Sequence, residues 1–309
     1  MAIKVAIFGQ AAFGRDVAVR VSEAGHEVVA VYSPPPGARP DPLASEAAER
    51  GWPLLRHERF RRKGAAIDEL VEEHARLGAD LNLMPFTTVI LPPEILEAPS
   101  LGSLCFHPSL LPAYRGGAAL AWQIILGAEE TGVTVFRPDE GVDTGPIVVQ
   151  RGGVPIDPRD TTASLYFEKL YPLGVEAMLE AVAQVAEGTA RFTPQAEDGA
   201  SFQGLVDDDA ACIDWQRPAA EIDRLIRGCD PQPGAHTLLK GECLRLFATF
   251  LVAEPSSDAS GTVLGLEDGR LRIAGAGGQL AVSKLRLGDG KKLAAAELPI
   301  APGSRLGLA

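Results

Sequence analysis

The chain has 309 residues, 46% of them hydrophobic, and its 29 Lys and Arg stand against 41 Asp and Glu for a formal charge of −12. This length and hydrophobic content exclude a disordered or fibrous protein and are typical of about two globular domains. The acidic total and the lack of a basic tract disfavour DNA or another long nucleic acid as the main partner, because phosphate binding needs a positive surface.

The sequence also argues against a membrane span and a metal site. Its longest stretch without a charged residue, 98–114, contains three prolines and 17 residues, whereas a bilayer needs about 20 helical residues. The four cysteines form no C-x-x-C pair, so we expect free thiols and no bound metal. The N-terminal run at 3–8 ends in a glycine turn and predicts a buried strand rather than a signal peptide, hence a cytoplasmic protein.

The first half of the chain alternates strand and helix patterns. Apolar runs predict strands at 3–8, 27–32, 81–84, 101–106, 132–136 and 147–150, and periodic segments predict helices at 13–24, 65–77 and 118–126. A longer helical segment runs to Gly188, with Thr161 or Thr162 as its cap and Pro172 kinking or splitting it. This alternation is typical of an α/β fold with a parallel sheet.

The pattern changes after Gly188. Residues 193–209 are polar and rich in turn formers, which predicts a linker. A helix at 219–228 and short strands at 243–252, 261–264, 270–274 and 279–287 then predict a small antiparallel barrel. We therefore expect a first domain at 1–205 and a second at 206–309. The second has 12 basic and 14 acidic residues, a net of −2, so that −10 of the charge lies in the first.

A glycine-rich turn follows the first strand, at 9–14. Its spacing is G-x-x-x-x-G, without the middle glycine that lets a backbone approach a pyrophosphate. The second predicted strand ends in Tyr32, Ser33 and Pro34 rather than in an acidic residue. We therefore predict a tight strand-to-helix turn and no NAD.

His107 is the first candidate functional residue. It lies at the carboxyl end of a predicted strand, next to Pro108 and before the turn at 116–117. In open α/β sheets ligands bind at this edge. A lone histidine is more often hydrogen-bonded within a loop, but its place at the strand end favours a functional interpretation.

Asp143 is the second candidate, in a loop at 139–145 that is dense in carboxylates and glycines. Such composition is also ordinary for a solvated turn. Here Gly145 and Pro146 follow closely and constrain the turn that carries the acid. If the two loops meet, His107 and Asp143 would form a general acid/base pair.

The motifs HPSLLP at 107–112, YRGGA at 114–118 and DTG at 143–145 together resemble the signature of enzymes that use 10-formyltetrahydrofolate as a one-carbon donor. The resemblance covers nearly the whole chain, as far as 302–306. It implies a Rossmann-like formyltransferase domain followed by a small, OB-like barrel. It further implies that His107 stabilises the oxyanion. Asp143 would orient His107 and take the proton of the attacking group.

Two branches of the family are similar to this chain. Segments MPF at 84–86, SLY at 164–166 and IDW at 213–215 resemble the hydrolase domain of 10-formyltetrahydrofolate dehydrogenase. Methionyl-tRNA formyltransferases carry a basic insertion after the second strand, whereas 33–43 is short here and has Arg39 as its only positive charge. The C-terminal tail of methionyl-tRNA formyltransferases, by contrast, is similar to residues 302–306 of this chain. We expect formyl transfer to water or a small amine, with tRNA a less favoured partner.

The resemblance also implies a folate site. The pterin would rest in an apolar cleft near Phe86, and main-chain groups would read its amide-like edge, with neither metal nor NAD involved. Those groups belong to Val89, Ile90 and Leu91 and to the loop residues Asp139, Glu140, Gly141 and Val142. Val89, Ile90 and Leu91 would have the same apolar pattern if they formed only a buried strand or turn.

Cys105 stands where formyltransferases place an asparagine, and the hydrolase domain also lacks that asparagine. We interpret Cys105 as a small apolar residue closing the strand; a nucleophile would need a lowered pKa. Its presence leaves open a folate-binding protein without catalysis. Formylation of methionyl-tRNA, of an amino sugar or of a hydroxamate precursor is also compatible with the sequence.

Overall fold

A computed structural model describes residues 1–307. Its contacts form two compact units, each built from several segments. The first comprises Met1–Arg115, Gly132–Gly153 and Leu170–Phe202, and the second comprises Gly116–Thr131, Val154–Lys169 and the chain from Gln203 onward. The domain boundary near residue 205 stays a prediction. Within 1–307, no helix combines the length and the apolar character needed to cross a bilayer.

Up to residue 186 the predicted strands and helices are present, and further elements are found in addition to them. In chain order the elements are β1 (Lys4–Phe8), α1 (Ala11–Glu23), β2 (Glu27–Ser33), α2 (Pro42–Arg50), β3 (Leu54–Arg56), β4 (Arg61–Arg62), β5 (Ala65–Ala66), α3 (Asp68–Leu77), β6 (Leu81–Met84), α4 (Pro93–Leu96), β7 (Ser103–His107), α5 (Ala119–Ile125), β8 (Glu130–Phe136), β9 (Ile147–Pro155), α6 (Thr162–Ser164), a π-helical turn (Leu165–Leu170) and α7 (Tyr171–Ala186). The elements found in addition to the predicted ones are α2, β3, β4, β5 and α4.

Seven of these strands form one sheet, in the order β3-β2-β1-β6-β7-β8-β9. The first five are parallel, which confirms the predicted α/β fold. The prediction is wrong for β8, which runs antiparallel to β7 and places Val135 opposite Phe106. Nearly all of β8 is buried, and a buried run looks the same in either direction, so the sheet is mixed rather than wholly parallel.

Two predicted helical segments differ from the observed ones. The helix expected at 65–77 begins at Asp68, because Ala65–Ala66 pairs with Arg61–Arg62 across a turn in which Lys63 and Gly64 have positive φ. The long segment begins with a capping box at Thr161, as predicted. Pro172 lies just after the junction between the π-helical turn Leu165–Leu170 and α7, so the segment is split there, because proline has no N–H to continue the helical hydrogen bonds.

Helix α7 approaches β7 closely enough to fix the strand that ends at His107. A Cβ at Gly174 would lie only 2.6 Å from the ring of Phe106. The ring of Phe106 packs against that of Phe13, with centroids 4.5 Å apart, and Phe13 meets Tyr171 edge-on at 5.3 Å. Ring packing between α1, α7 and β7 therefore supports the carboxyl end of β7.

The rest of the second unit is mainly antiparallel β structure. Its elements are α8 (Ala219–Gly228), β10 (His236–Leu239), β11 (Glu242–Val252), β12 (Val263–Glu267), β13 (Arg270–Gly275), β14 (Gly278–Leu287), β15 (Leu293–Ala294) and a 3-10 turn (Ala295–Glu297). The sheet order is β10-β11-β14-β13-β12, with β15 on β14. Arg305 bridges to Thr262 beside β12, and Leu306 to Leu239 of β10. The tail thereby links the two sheet edges, as a barrel-like domain requires.

Candidate active site

His107 is the last residue of β7 and only 5% exposed. Strand β7 lies between β6 and β8 in the sheet. His107 therefore lies at the carboxyl end of an interior strand. This is the position predicted from the sequence.

The two ring nitrogens of His107 face different partners. Nε2 lies 2.8 Å from the main-chain oxygen of Tyr114, and because a carbonyl only accepts, Nε2 is the donor. Nδ1 lies 3.5 Å from Oδ2 of Asp143, beyond the usual hydrogen-bond range of about 2.7–3.2 Å. One nitrogen is therefore held by the backbone, and the other faces a carboxylate across a narrow gap.

Both residues that face the ring have left-handed backbone. The φ angles are 59° at Tyr114 and 55° at Asp143, a region that costs a non-glycine residue of order 1–3 kcal/mol unless its surroundings hold it. Hydrogen bonds hold both. The amide of Tyr114 donates to Oγ of Ser201 at 2.8 Å, and Nε2 of Gln195 donates to the carbonyl of Asp143, also at 2.8 Å.

Gln195 and Ser201 come from the segment predicted to be a linker. Up to Phe202 that segment belongs to the first unit instead. Thr193 exchanges two 2.8 Å backbone hydrogen bonds with Ile147, and Ser201 donates its amide to the carbonyl of Pro112 and accepts from the amide of Arg115. Sequence analysis missed these residues because polar residues among turn formers show no period. The order of the segment comes from partners far along the chain.

The path of the loop after His107 is set by two polar side chains of the neighbouring strands. Oγ1 of Thr134 donates to the carbonyl of Ser109 at 2.7 Å and accepts from the amide of Leu111 at 3.2 Å. Nε2 of Gln150 donates to the carbonyl of Leu111 at 2.8 Å. The sequence shows Thr134 and Gln150 only as strand residues, without a signal for this role.

The loop predicted to read the pterin precedes Asp143 directly. Oδ1 of Asp139 accepts from the amide of Gly141 at 3.0 Å and from the hydroxyl of Thr144 at 2.6 Å. Glu140 is exposed, and Val142 is half exposed. The loop is thus a small, internally bonded turn with an apolar side chain in solvent.

Phe86 and Val89 lie together in a shallow, solvent-open cleft with a volume of only about 20 Å³. Its other lining residues are Phe8, Gly9, Gln10, Tyr32, Ser33, Pro34, His57, Phe60, Thr87 and Thr88. Because they end or follow β1, β2, β3 and β6, the cleft includes the point between β1 and β6 where the strand order reverses, a favoured ligand position. Ile90 is 72% exposed outside this lining, and Leu91 is buried with its carbonyl bound to Arg61.

Cys105 has the environment of an inert thiol. Burial raises its pKa, and the negative charge of Asp143 raises it further. The side chain packs at the edge of an apolar cluster that includes Met84 and Leu91. A thiol whose pKa is raised is a poor nucleophile, which agrees with the interpretation of Cys105 as a small apolar residue.

The glycine-rich turn at 9–14 is occupied by the chain's own carboxylate. Asp41 accepts from the amide of Ala11, the first residue of α1, at 2.6 Å and from the amide of Ala44 at 2.9 Å. In a dinucleotide-binding turn a pyrophosphate takes the place at the helix N-terminus. The carboxylate therefore stands where such a phosphate would bind.

A mixed Rossmann-like sheet with a histidine and an aspartate at its carboxyl edge, joined to an antiparallel β unit, defines a formyltransferase-type protein. The family profile described as "Formyl transferase" matches residues 1–182. That described as "Formyl transferase, C-terminal domain" matches residues 206–299. The chain belongs to the formyl transferase family.

Individual relatives show the same relationship. Mitochondrial 10-formyltetrahydrofolate dehydrogenase of Mus musculus is 37% identical over 306 residues, 96% of this chain but 33% of the relative. This chain thus spans about a third of the dehydrogenases it matches. Methionyl-tRNA formyltransferase of Ruegeria pomeroyi is 35% identical over 316 residues, covering 98% of this chain and all of the relative. The structure of HypX from Aquifex aeolicus with tetrahydrofolic acid matches in fold, with a TM-score of 0.70, 23% identity and coverage of 96% and 47%.

Proposed function

We propose that this chain transfers the formyl group of 10-formyltetrahydrofolate to water or to a small amine. The proposal rests on one observation, the facing of His107 Nδ1 and Asp143 Oδ2 across 3.5 Å at the carboxyl end of β7. The side chain of Asp143 is 19% exposed, which leaves an approach for a small acceptor. We assign the formyl-transfer chemistry to residues 1–205 and a separate barrel-like domain to 206–309.

The geometry supports distinct roles for the two groups. The carbonyl of Tyr114 keeps Nε2 of His107 occupied, so the Nδ1 edge is the one directed at the reacting atoms. In the protonated ring, Nδ1–H donates to the oxyanion that forms when the formyl carbon is attacked. Asp143 accepts the proton of the attacking water or amine.

In hydrolysis, a bond forms between the water oxygen and the formyl carbon, and the bond from that carbon to N10 of the folate breaks. The proton held by Asp143 passes to N10, so the products are formate and tetrahydrofolate. With an amine acceptor the same steps give a formamide. No further reactant is needed in either case.

For the folate we propose the residues around Phe86 and the turn before Asp143. Phe86 is 44% exposed at the rim of its cleft, so its ring is accessible to a flat heterocycle. Main-chain groups of Val89, Ile90 and Leu91 and of the 139–142 turn would bind the pterin edge. The carbonyl of Leu91 is already taken by Arg61, which leaves its other groups for this role.

Acceptor preference is the finer part of the proposal. Cys105 in place of an asparagine and the likeness to the dehydrogenases favour water. Methionyl-tRNA is the second candidate, because the Ruegeria pomeroyi enzyme matches along its full length. Against tRNA, the segment between β2 and α2 has only eight residues, 34–41, and Arg39 is its only positive charge.

Release of tetrahydrofolate from 10-formyltetrahydrofolate tests the proposal. Three reactions are compared, in buffer alone, with a panel of small amines that includes amino sugars, and with initiator methionyl-tRNA. Release in buffer alone supports hydrolysis, and release only with an amine supports transfer to that amine. Release only with the tRNA supports the second candidate. Folate binding without release in any reaction would overturn a catalytic role.

A further inference from the structure

We propose that Gln195 is a positioning residue that holds the two partners of the His107 ring in place. The inference rests on the proposed function, since it assigns Gln195 a role in the same reaction. The side chain of Gln195 bonds to the loops beside the ring and not to the ring itself. Its effect passes through the two loops that carry Asp143 and Tyr114.

The side-chain amide of Gln195 joins these loops directly. Its Nε2 donates to the carbonyls of Asp143 and Gly145, each at 2.8 Å. Its Oε1 accepts from Nε and Nη2 of Arg115 at 3.2 and 2.8 Å. Arg115 follows Tyr114, whose carbonyl binds Nε2 of His107. A single side chain thus connects the loops on both sides of the ring.

The hydrogen-bonding capacity of Gln195 is fully used. A primary amide has two N–H donors and an oxygen that accepts two hydrogen bonds, and all four are made. Such a side chain has one orientation, because rotating the amide by 180° would set its N–H groups against Arg115 and its oxygen against two carbonyls. The amide therefore defines the distance between the loops rather than filling space.

Positive φ at Asp143 gives this connection its importance. With φ of 55°, the residue holds a conformation that persists only when its surroundings impose it. Gln195 binds the carbonyl of Asp143 itself and that of Gly145 two residues later, so it spans the turn. Without these two bonds the backbone of Asp143 can relax, and its carboxylate moves relative to Nδ1 of His107.

Gln195→Glu removes the hydrogen bonds to the Asp143 loop and keeps those to Arg115. The carboxylate keeps its pairing with Arg115, but it presents lone pairs, not N–H groups, to the carbonyls of Asp143 and Gly145. Gln195→Ala removes both connections. Gln184→Ala is the matched control, since Gln184 makes its side-chain hydrogen bond to Glu180 within α7, on the same unit.

We expect Gln195→Glu and Gln195→Ala to lower kcat for formyl release about tenfold or more, as small misplacements of reacting groups do. KM for 10-formyltetrahydrofolate and the melting temperature of Gln195→Glu should stay near the wild-type values. A loss confined to KM or explained by unfolding of Gln195→Glu would overturn the role. So would wild-type turnover in both variants, and in that case the proposed function stands.

Amide hydrogen exchange at 139–145 tests the positioning without turnover. Faster exchange there in Gln195→Glu than in Gln184→Ala is expected, and equal exchange would contradict the inference. If the wild-type protein releases no tetrahydrofolate with any acceptor, the proposed function fails, and the exchange result alone then decides the role of Gln195.

Discussion

The ring of His107 has one nitrogen bound to a main-chain carbonyl and the other directed at Asp143. Tyr114 and Asp143 both have left-handed backbone, a conformation that is unfavourable for non-glycine residues. Such strain persists where the surroundings over-determine it, and here they do so through Ser201 and Gln195. The strained backbone at Tyr114 and Asp143 therefore places the groups that face the His107 ring.

Removing either member of the pair is expected to slow the reaction strongly without unfolding the protein. His107→Ala and Asp143→Asn should each reduce turnover of 10-formyltetrahydrofolate by about 100-fold or more, the effect of losing a positioned acid/base or oxyanion donor. Asn tolerates positive φ nearly as well as Asp, so Asp143→Asn changes the charge and not the turn. Steady-state kinetics measure the loss.

Asp198→Asn is the control for that charge change, because Asp198 is exposed in the segment that carries Gln195. It should leave turnover unchanged. Near-normal turnover in His107→Ala or Asp143→Asn would refute the assigned roles.

At the scale of elements, the support of the site is the contact between α7 and β7. The helix is apolar on the side facing the sheet, with Val175, Met178 and Val182 buried. Gly174 lets the helix backbone come down onto Phe106, the neighbour of His107. Placing His107 therefore depends on a small residue some seventy positions away along the chain.

Gly174→Ala tests this contact. Alanine favours helices by about 1 kcal/mol over glycine, but its Cβ would lie 2.6 Å from Cε2 of Phe106 and 3.1 Å from the ring of Phe13. Overpacking of this kind costs about 1–3 kcal/mol, so we expect a net loss of stability and lower turnover. Urea denaturation measures the free energy of unfolding.

The comparison variant is Gly37→Ala, where nothing lies within 4 Å of the added Cβ. Its unfolding free energy should match the wild type within about 0.5 kcal/mol. Equal stability of Gly174→Ala and Gly37→Ala would show that α7 yields to the added methyl group.

For the whole molecule, three histidines tie stability to pH. Burial lowers the pKa of His26, His74 and His236. His74 is 2% exposed and its Nδ1 lies 3.1 Å from the hydroxyl of Tyr32. As pH falls below the unfolded pKa of about 6.5, the unfolded chain binds protons that the folded chain excludes. Their contribution to stability is complete above that pH and is lost as the pH falls through the folded values.

We therefore expect a lower melting temperature at pH 5.5 than at pH 7.5. His74→Gln keeps a side chain that can hydrogen-bond to Tyr32 but does not titrate, so the decrease between the two pH values should be smaller in this variant. Scanning calorimetry at both pH values measures the difference. An identical decrease in wild type and His74→Gln would exclude His74 as a source of the pH dependence.

Buried runs and their spacing were enough to predict β1, β2, β6, β7, β8 and β9 and the long helices between them, since burial of an apolar face gives a local pattern in the sequence. The short elements α2, β3, β4, β5 and α4 were not predicted. The motifs at 107–112 and 143–145 likewise predicted the two residues that meet at the sheet edge. The direction of β8 was not predictable, because a buried strand has the same pattern in both directions. The start of α3 differed for a local reason, a turn with positive φ at Lys63.

Local sequence patterns thus predict the fold class, the family resemblance and the candidate pair His107 and Asp143. The contacts that hold this pair in place come from the tertiary structure. Ser201 binds Tyr114 from 87 residues away, and Gln195 binds Asp143 from 52 residues away. Hydrogen bonds between such distant segments depend on how the whole chain packs, and no local spacing of residues records them.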